Sequence, residues 1–264
     1  MKSFCLFAFA FTTLAAGPAA AASSAWHEAE GGRVRLVTSG APDAGGRLQG
    51  VLQIDLKPGW KTYWRDPGGS GVPPTIDVSA SPSLTGAALE FPPPEHHFDG
   101  QSTWAGYDQP VDLPVAFQLR APGKPGIIEA SVFLGICETI CIPVQAQFSV
   151  DVAADDGTDA ATVADAWGSL PGAATEQFGA TVSQSNDKTV EIAANMPAGA
   201  EEAELFLAGS DGYMFGPAKA ERSGGKFRFS AEIVTRPKVR PGNQGLHYTL
   251  VTSKGAVSGI LPYF

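Results

Sequence analysis

The sequence is poor in the residues that most often hold metal ions. Its 264 residues include 3 cysteines, 4 histidines and 3 methionines. Met196 and Met214 stand alone in the chain, and no two histidines have a spacing such as H-x3-H. These absences argue against a spaced zinc site and against a methionine-rich copper site.

Positive charge and the common catalytic fingerprints are also scarce. Lysine and arginine total 18 against 27 aspartates and glutamates, which gives a formal net charge of −9. The overall field therefore does not draw the chain to nucleic acid or to anionic lipid surfaces. The sequence contains no G-x-S-x-G segment, no P-loop and no dinucleotide fingerprint, which argues against the enzyme classes that depend on them.

Long hydrophobic runs are missing except at the N-terminus. Lys2 precedes a short apolar run at residues 4–14, and the small residues 20–22 offer a cleavage site. This pattern predicts a secretory signal peptide over residues 1–22. The run is shorter than the ~20 apolar residues that a membrane span needs, and no later segment approaches that length. We expect an exported, periplasmic protein that does not itself span the membrane.

Glycine and proline, in contrast, are abundant at 31 and 21 residues. Apolar residues alternate with polar ones over residues 48–56, 111–119 and 144–152, which is typical of strands with one buried face. The sequence therefore predicts an all-β protein built from two immunoglobulin-like β-sandwiches in tandem. We expect the first sandwich at residues 23–154, a linker with one short helix at 155–175, and a second, cysteine-free sandwich at 176–264.

The cysteines carry the sharpest functional signal. Cys5 lies inside the predicted signal peptide, so the exported chain keeps Cys137 and Cys141, and an even count suggests one disulfide. Four extended steps would span roughly 13 Å, so a bridge requires a turn between them. A disulfide that closes so short a ring contributes only about 2 kcal/mol to the stability of the folded protein. The short ring favours a redox-active dithiol over a structural bridge, although the structural bridge remains an alternative.

The neighbours of the pair indicate which kind of redox chemistry to expect. Ile136, Ile140 and Ile142 are apolar and Glu138 is anionic, and both properties disfavour a thiolate. No lysine or arginine lies nearby in sequence. We expect a relay between partners and not a strong general oxidant.

Three ordered motifs give the chain a family resemblance. Residues 59–71 read GWKTYWRDPGGSG, residues 91–94 read FPPP ahead of Gly106-Tyr107, and residues 135–143 read GICETICIP. Together they resemble the N-terminal periplasmic domains of DsbD/ScsB-type thiol:disulfide interchange proteins, over roughly residues 26–152. The cysteine spacing is closer to the ScsB branch, which is linked with copper tolerance.

The resemblance implies an immunoglobulin-like domain with a redox-active cysteine pair. It implies that Cys137 and Cys141 exchange electrons between a membrane-embedded reductant protein and thioredoxin-like or disulfide isomerase-like envelope proteins. Tyr63, Trp64 and Tyr107 carry over as motif residues for docking or shielding. Phe98 is a candidate for the shielding loop of the DsbD branch.

Other interpretations stay open at this stage. Trp60 and its aromatic neighbours at 63 and 64 form either a docking platform or ordinary core. His96 and His97 with Glu95 and Asp99 suggest copper or zinc, but adjacent histidines point oppositely on a strand, so we expect an exposed polar loop and no metal site. Cu(I) held by the dithiol is a further alternative, as is a binding or chaperone-like sandwich with an inert bridge. We otherwise expect no cofactor; an active pair makes the protein a thiol–disulfide oxidoreductase.

Overall fold

The computed structural model describes residues 23–264 apart from positions 40, 70, 99, 101, 123, 125, 155–156, 210–211, 224–225, 240 and 243–244. The predicted signal peptide lies outside the described residues. The first half of the chain forms the strands β1 (His27–Ala29), β2 (Gly32–Thr38), β3 (Arg47–Leu56), β4 (Thr62–Tyr63), β5 (Thr75–Asp77), β6 (Leu84–Leu89), β7 (Glu95–Phe98), β8 (Thr103–Tyr107), β9 (Val111–Leu119), β10 (Ile127–Cys137) and β11 (Cys141–Asp151).

One helix and a second series of strands follow. They are α1 (Ala160–Gly168), β12 (Gly172–Ala173), β13 (Gly179–Ser185), β14 (Thr189–Asn195), β15 (Ala203–Ala208), β16 (Met214–Phe215), β17 (Lys219–Ser223), β18 (Lys226–Thr235), β19 (Leu246–Thr252) and β20 (Gly255–Leu261). The predicted all-β class is confirmed. Within the described residues, no helix has the length and apolar character needed to cross a bilayer.

The first group of strands builds a sandwich because their apolar residues alternate. A sheet in the order β1-β2-β3-β9-β6 faces a sheet in the order β11-β10-β5, and their inner faces share one core. Leu52, Phe117 and Leu134 are fully buried there. A small third sheet, β4-β8-β7, lies at one end of this sandwich, and it carries most of the site described below.

The second group of strands builds a second sandwich. A sheet in the order β12-β20-β19-β15 packs against a sheet in which β13-β14-β18-β16 run side by side and β17 also pairs with β18. Val190, Leu205 and Phe229 are fully buried in its core.

The two sandwiches share apolar surface. Phe206 and Ala208 belong to strand β15, yet they pack into the core of the first sandwich. The helix α1 covers the outer face of β2 and β3, where Val163 and Ala166 meet two buried valines. The predicted short helix is therefore present, and it docks on the first sandwich. The exact domain boundaries stay a prediction.

Candidate functional site

A tight hairpin positions the two cysteines. Strands β10 and β11 pair along their whole length, and the last pair in the ladder is Cys137 opposite Cys141. The two Cα atoms are 4.1 Å apart and the side chains form a disulfide. Residues 138–140 make the turn, in which the Glu138 N–H donates to the Ile140 carbonyl at 3.2 Å. The turn that the C-x3-C spacing predicts is thus confirmed.

The two cysteines differ in their access to solvent. Cys137 is 1 % exposed, whereas Cys141 is an exposed residue at the start of an edge strand. The backbone of Cys137 is fixed by a bridge to Lys61, whose N–H donates to the Cys137 carbonyl at 2.8 Å and whose carbonyl accepts the Cys137 N–H at 2.9 Å. An approaching molecule therefore meets Cys141 first.

Tyr63 lies directly beneath the disulfide. It is 4 % exposed, and its hydroxyl donates to Cys137 Sγ at 3.0 Å and lies 3.2 Å from Cys141 Sγ. Strand β4 holds it in place, because the neighbouring Thr62 Oγ1 donates to the Gly135 carbonyl at 2.9 Å. A hydroxyl in this position supplies a hydrogen-bond donor that strengthens when a sulfur becomes a thiolate.

Two glycines make room for the Tyr63 ring. A Cβ at Gly71, whose φ is +138°, would lie 2.7 Å from the ring. A Cβ at Gly135 would lie 3.0 Å from Val72 and 3.4 Å from the same ring. The glycines of the family-like motifs therefore permit the close packing of this tyrosine beside the sulfurs.

A layer of further side chains lies behind Tyr63. Trp104 is buried and packs edge-on against Tyr63, with ring centroids 5.6 Å apart. His97 stacks on the Trp104 ring at 4.2 Å, and Lys61 Nζ lies 4.6 Å from the centroid of the same ring. Trp104 and Lys61 are members of this layer that the sequence patterns did not indicate as site residues. Lys61 lies inside the GWKTYW motif, so the motif could have indicated it as a site residue. Trp104 lies in no motif that could have done so.

Trp64 faces away from the disulfide. It is 1 % exposed and packs edge-on against Phe206 of the second sandwich, with centroids 5.9 Å apart. Its neighbour in the chain, Tyr63, points to the opposite side, as alternation along an extended segment requires. Tyr63 therefore contacts the disulfide, whereas Trp64 packs between the two sandwiches.

The remaining candidates also lie apart from the sulfurs. The Tyr107 hydroxyl donates to the Pro92 carbonyl at 2.8 Å, and burial raises the pKa of Tyr107 far above its usual value. Phe98 is 71 % exposed at the end of β7, and alternation turns it away from the face that carries His97. The shielding role of Phe98 stays a prediction.

Asp66, in the turn that follows the aromatic motif, connects the two sandwiches. One carboxylate oxygen accepts the Gly68 N–H at 3.0 Å, and the other accepts the Gly209 N–H at 2.6 Å. Burial is the main influence on the group and raises its pKa, while the two N–H donors oppose this. The bond to Gly68 closes a local turn, and the bond to Gly209 anchors that turn to the second sandwich.

Comparison with known proteins agrees with this geometry. Residues 36–153 match the family described as "Thiol:disulfide interchange protein DsbD, N-terminal". The fold is similar to that of the N-terminal periplasmic domain of ScsB from Proteus mirabilis, with a TM-score of 0.74 and 18 % identity over 92 % of this chain and 99 % of that chain. No curated protein matches the sequence. The segment that matches the DsbD N-terminal family therefore includes Cys137, Cys141 and Tyr63.

Proposed function

We propose that this protein is a periplasmic thiol–disulfide oxidoreductase that relays electrons through Cys137 and Cys141. One observation carries the proposal: an exposed cysteine is bonded to a buried one at a hairpin tip, and a buried hydroxyl contacts both sulfurs. A purely structural bridge needs neither an exposed sulfur nor a donor directed at it. The family whose model matches residues 36–153 is described as thiol:disulfide interchange proteins, which supports the same exchange chemistry.

The unequal exposure supports different roles for the two cysteines. In the reduced protein, the Cys141 thiolate attacks one sulfur of a partner's disulfide, and the partner's other sulfur leaves as a thiolate. The Cys137 thiolate then attacks Cys141 Sγ and releases the partner's second thiolate. Two electrons pass to the partner, and the Cys137–Cys141 disulfide re-forms. The same steps in reverse reduce the Cys137–Cys141 disulfide with electrons from a reductant protein.

The surroundings support a relay that acts when a partner docks. Tyr63 is placed to donate to a thiolate as it forms, and its ring closes the inner side of the pair. On the outer side Ile140 is 72 % exposed beside Cys141, and an apolar side chain at that position suits contact with a partner protein. We propose a membrane-embedded reductant protein as donor and thioredoxin-like or disulfide isomerase-like periplasmic proteins as acceptors.

Single-cysteine variants test the assignment. A thioredoxin-like protein with one cysteine, activated as its thionitrobenzoate mixed disulfide, serves as the probe. We expect Cys137→Ser, which keeps Cys141, to release thionitrobenzoate at least about tenfold faster than Cys141→Ser, because exchange depends on access. Equal rates for the two variants would contradict the assignment of Cys141 as the attacking residue.

The reduction potential tests the function itself. We expect a value well above about −300 mV, because potentials below that are typical of structural bridges. A lower value would favour the inert bridge. Titration of Cu(I) into the reduced protein and into the double Cys→Ser variant tests the copper alternative, since equal affinities would remove the dithiol from that role.

A further inference from the structure

The β7–β8 hairpin gathers three groups that can ligate a metal on one face. Glu95 and His97 lie two residues apart on β7, so their side chains share a face. His97 pairs with Trp104 on β8, and Glu95 pairs with Gly106. Asp108 continues the same alternation just after the end of β8. The sequence suggested Asp99 beside the histidines, and that residue lies outside the described residues. The sequence pattern gave no indication of Asp108.

The distances within this group leave a gap that direct hydrogen bonds do not close. Asp108 Oδ2 lies 3.9 Å from His97 Nδ1, and Glu95 Oε2 lies 3.9 Å from His97 Nε2. Both separations exceed hydrogen-bond length. His97 Nε2 is buried and has no hydrogen-bond partner. Such an orphaned ring nitrogen is uncommon in native proteins and calls for an explanation.

A single ion takes one of the two ring nitrogens of His97, and the spacing of the three residues allows this. One ligand atom from each of the three residues lies within 4.8 Å of the others. An ion with bonds of about 2.0–2.2 Å to nitrogen and oxygen places neighbouring ligand atoms roughly 3–4 Å apart in tetrahedral or octahedral geometry. The carboxylate side chains are 77 % and 52 % exposed, so they have room to move toward the imidazole.

The imidazole is the fixed part of the site. Its side chain is 19 % exposed and stacks face to face on Trp104 at 4.2 Å. His96, by contrast, points to the other face, where it stacks on Phe206 and pairs with Glu204 at 3.1 Å. The alternation expected for adjacent histidines therefore separates them, and the ring nitrogens of His97 lie within 4 Å of two carboxylates.

We infer that Glu95, His97 and Asp108 form a binding site for a divalent first-row transition ion of the zinc type. One imidazole nitrogen and two carboxylate oxygens suit such ions, with water in the remaining positions. The site uses none of the sulfur atoms, and the inference does not depend on the proposed redox function.

Metal titration of the oxidised protein tests the inference. In that form both cysteines are held in the disulfide and do not act as thiolate ligands. Co²⁺ absorption in the visible range reports the coordination, and calorimetry with Zn²⁺ gives the affinity. We expect one equivalent of each ion to bind. Absence of binding to the oxidised wild-type protein overturns the inference.

Matched variants locate the ion. His97→Phe keeps a flat ring against Trp104 and removes the nitrogen ligand, and Asp108→Asn removes a carboxylate at a surface position. We expect each to weaken Zn²⁺ binding at least about tenfold. His96→Phe makes the same change one residue away and should leave the affinity unchanged. Undiminished binding by Asp108→Asn and His97→Phe, or equal loss in His96→Phe, overturns the assignment.

Discussion

The Tyr63 hydroxyl is the group whose removal tests the redox site most directly. Tyr63→Phe deletes the donor that lies 3.0 Å from Cys137 Sγ and 3.2 Å from Cys141 Sγ, and it leaves the ring in its packing against Trp104. The hydroxyl has one hydrogen, so it serves one sulfur at a time. A thiolate accepts that hydrogen bond more strongly than a disulfide sulfur does. The hydroxyl therefore stabilises the reduced form, and its loss should lower the reduction potential.

The size of the effect follows from the strength of one hydrogen bond. A net contribution of about 0.5–1.5 kcal/mol applies to a neutral acceptor and about 1.5–3 kcal/mol to a charged one. The disulfide also accepts this hydrogen bond, so the shift follows from the difference between the two acceptors, about 1–1.5 kcal/mol. Because 30 mV corresponds to about 1.4 kcal/mol for a two-electron couple, the expected decrease is about 20–30 mV. Equilibration in thiol/disulfide buffers, followed by alkylation and mass spectrometry, measures the fraction reduced at each potential.

Tyr107→Phe is the matched control. It also removes one buried hydroxyl, but that hydroxyl donates to the Pro92 carbonyl and does not touch a sulfur. We expect Tyr107→Phe to lower the free energy of unfolding by about 1–3 kcal/mol and to leave the potential unchanged. The reasoning fails if Tyr63→Phe has the wild-type potential or a higher one, or if both variants shift it equally.

Three further predictions concern the contacts that hold the domains. Asp66→Ala leaves the part-buried Gly209 N–H without its acceptor and should lower the free energy of urea unfolding by about 1–3 kcal/mol. Asp77→Ala removes a similar acceptor from an exposed turn and should lower it less; equal losses would contradict the anchoring role of Asp66. The pKa of His96 is lowered from 6.5, chiefly by burial and against the pull of Glu204. The stability that neutral His96 contributes is therefore present above about pH 6.5 and is lost as the pH falls through the lower pKa of the folded state. In thermal melts between pH 7 and 5, the melting temperature of His96→Phe should fall less steeply than that of the wild type. Parallel falls in the two proteins would refute this. Trp167→Phe removes the indole N–H donated to the Gly50 carbonyl at 3.1 Å and should lower stability by about 0.5–1.5 kcal/mol, whereas an unchanged denaturation midpoint would show that α1 docks through its apolar face alone.

Sequence patterns determined much of the secondary structure and the identity of the disulfide-bonded pair. Alternation fixes which residues of a strand share a face, and the inner faces at residues 48–56, 111–119 and 144–152 are the buried ones observed. The C-x3-C spacing required a turn, because extended backbone would hold the sulfurs too far apart. The cysteine count and the three motifs pointed to a thiol–disulfide interchange domain without any knowledge of contacts.

Tertiary structure alone decided how the pair is exposed and what surrounds it. Tyr63 contacts a sulfur 74 positions further along the chain, and only the packing of β4 against the β10–β11 hairpin brings the two together. The tertiary packing also buries Cys137 and leaves Cys141 on an edge strand. It brings Trp64 into contact with the second sandwich and Asp108 close to His97. A local pattern specifies the face on which a side chain lies, but the partner it meets depends on which strands pair and stack. That choice is a property of the whole fold.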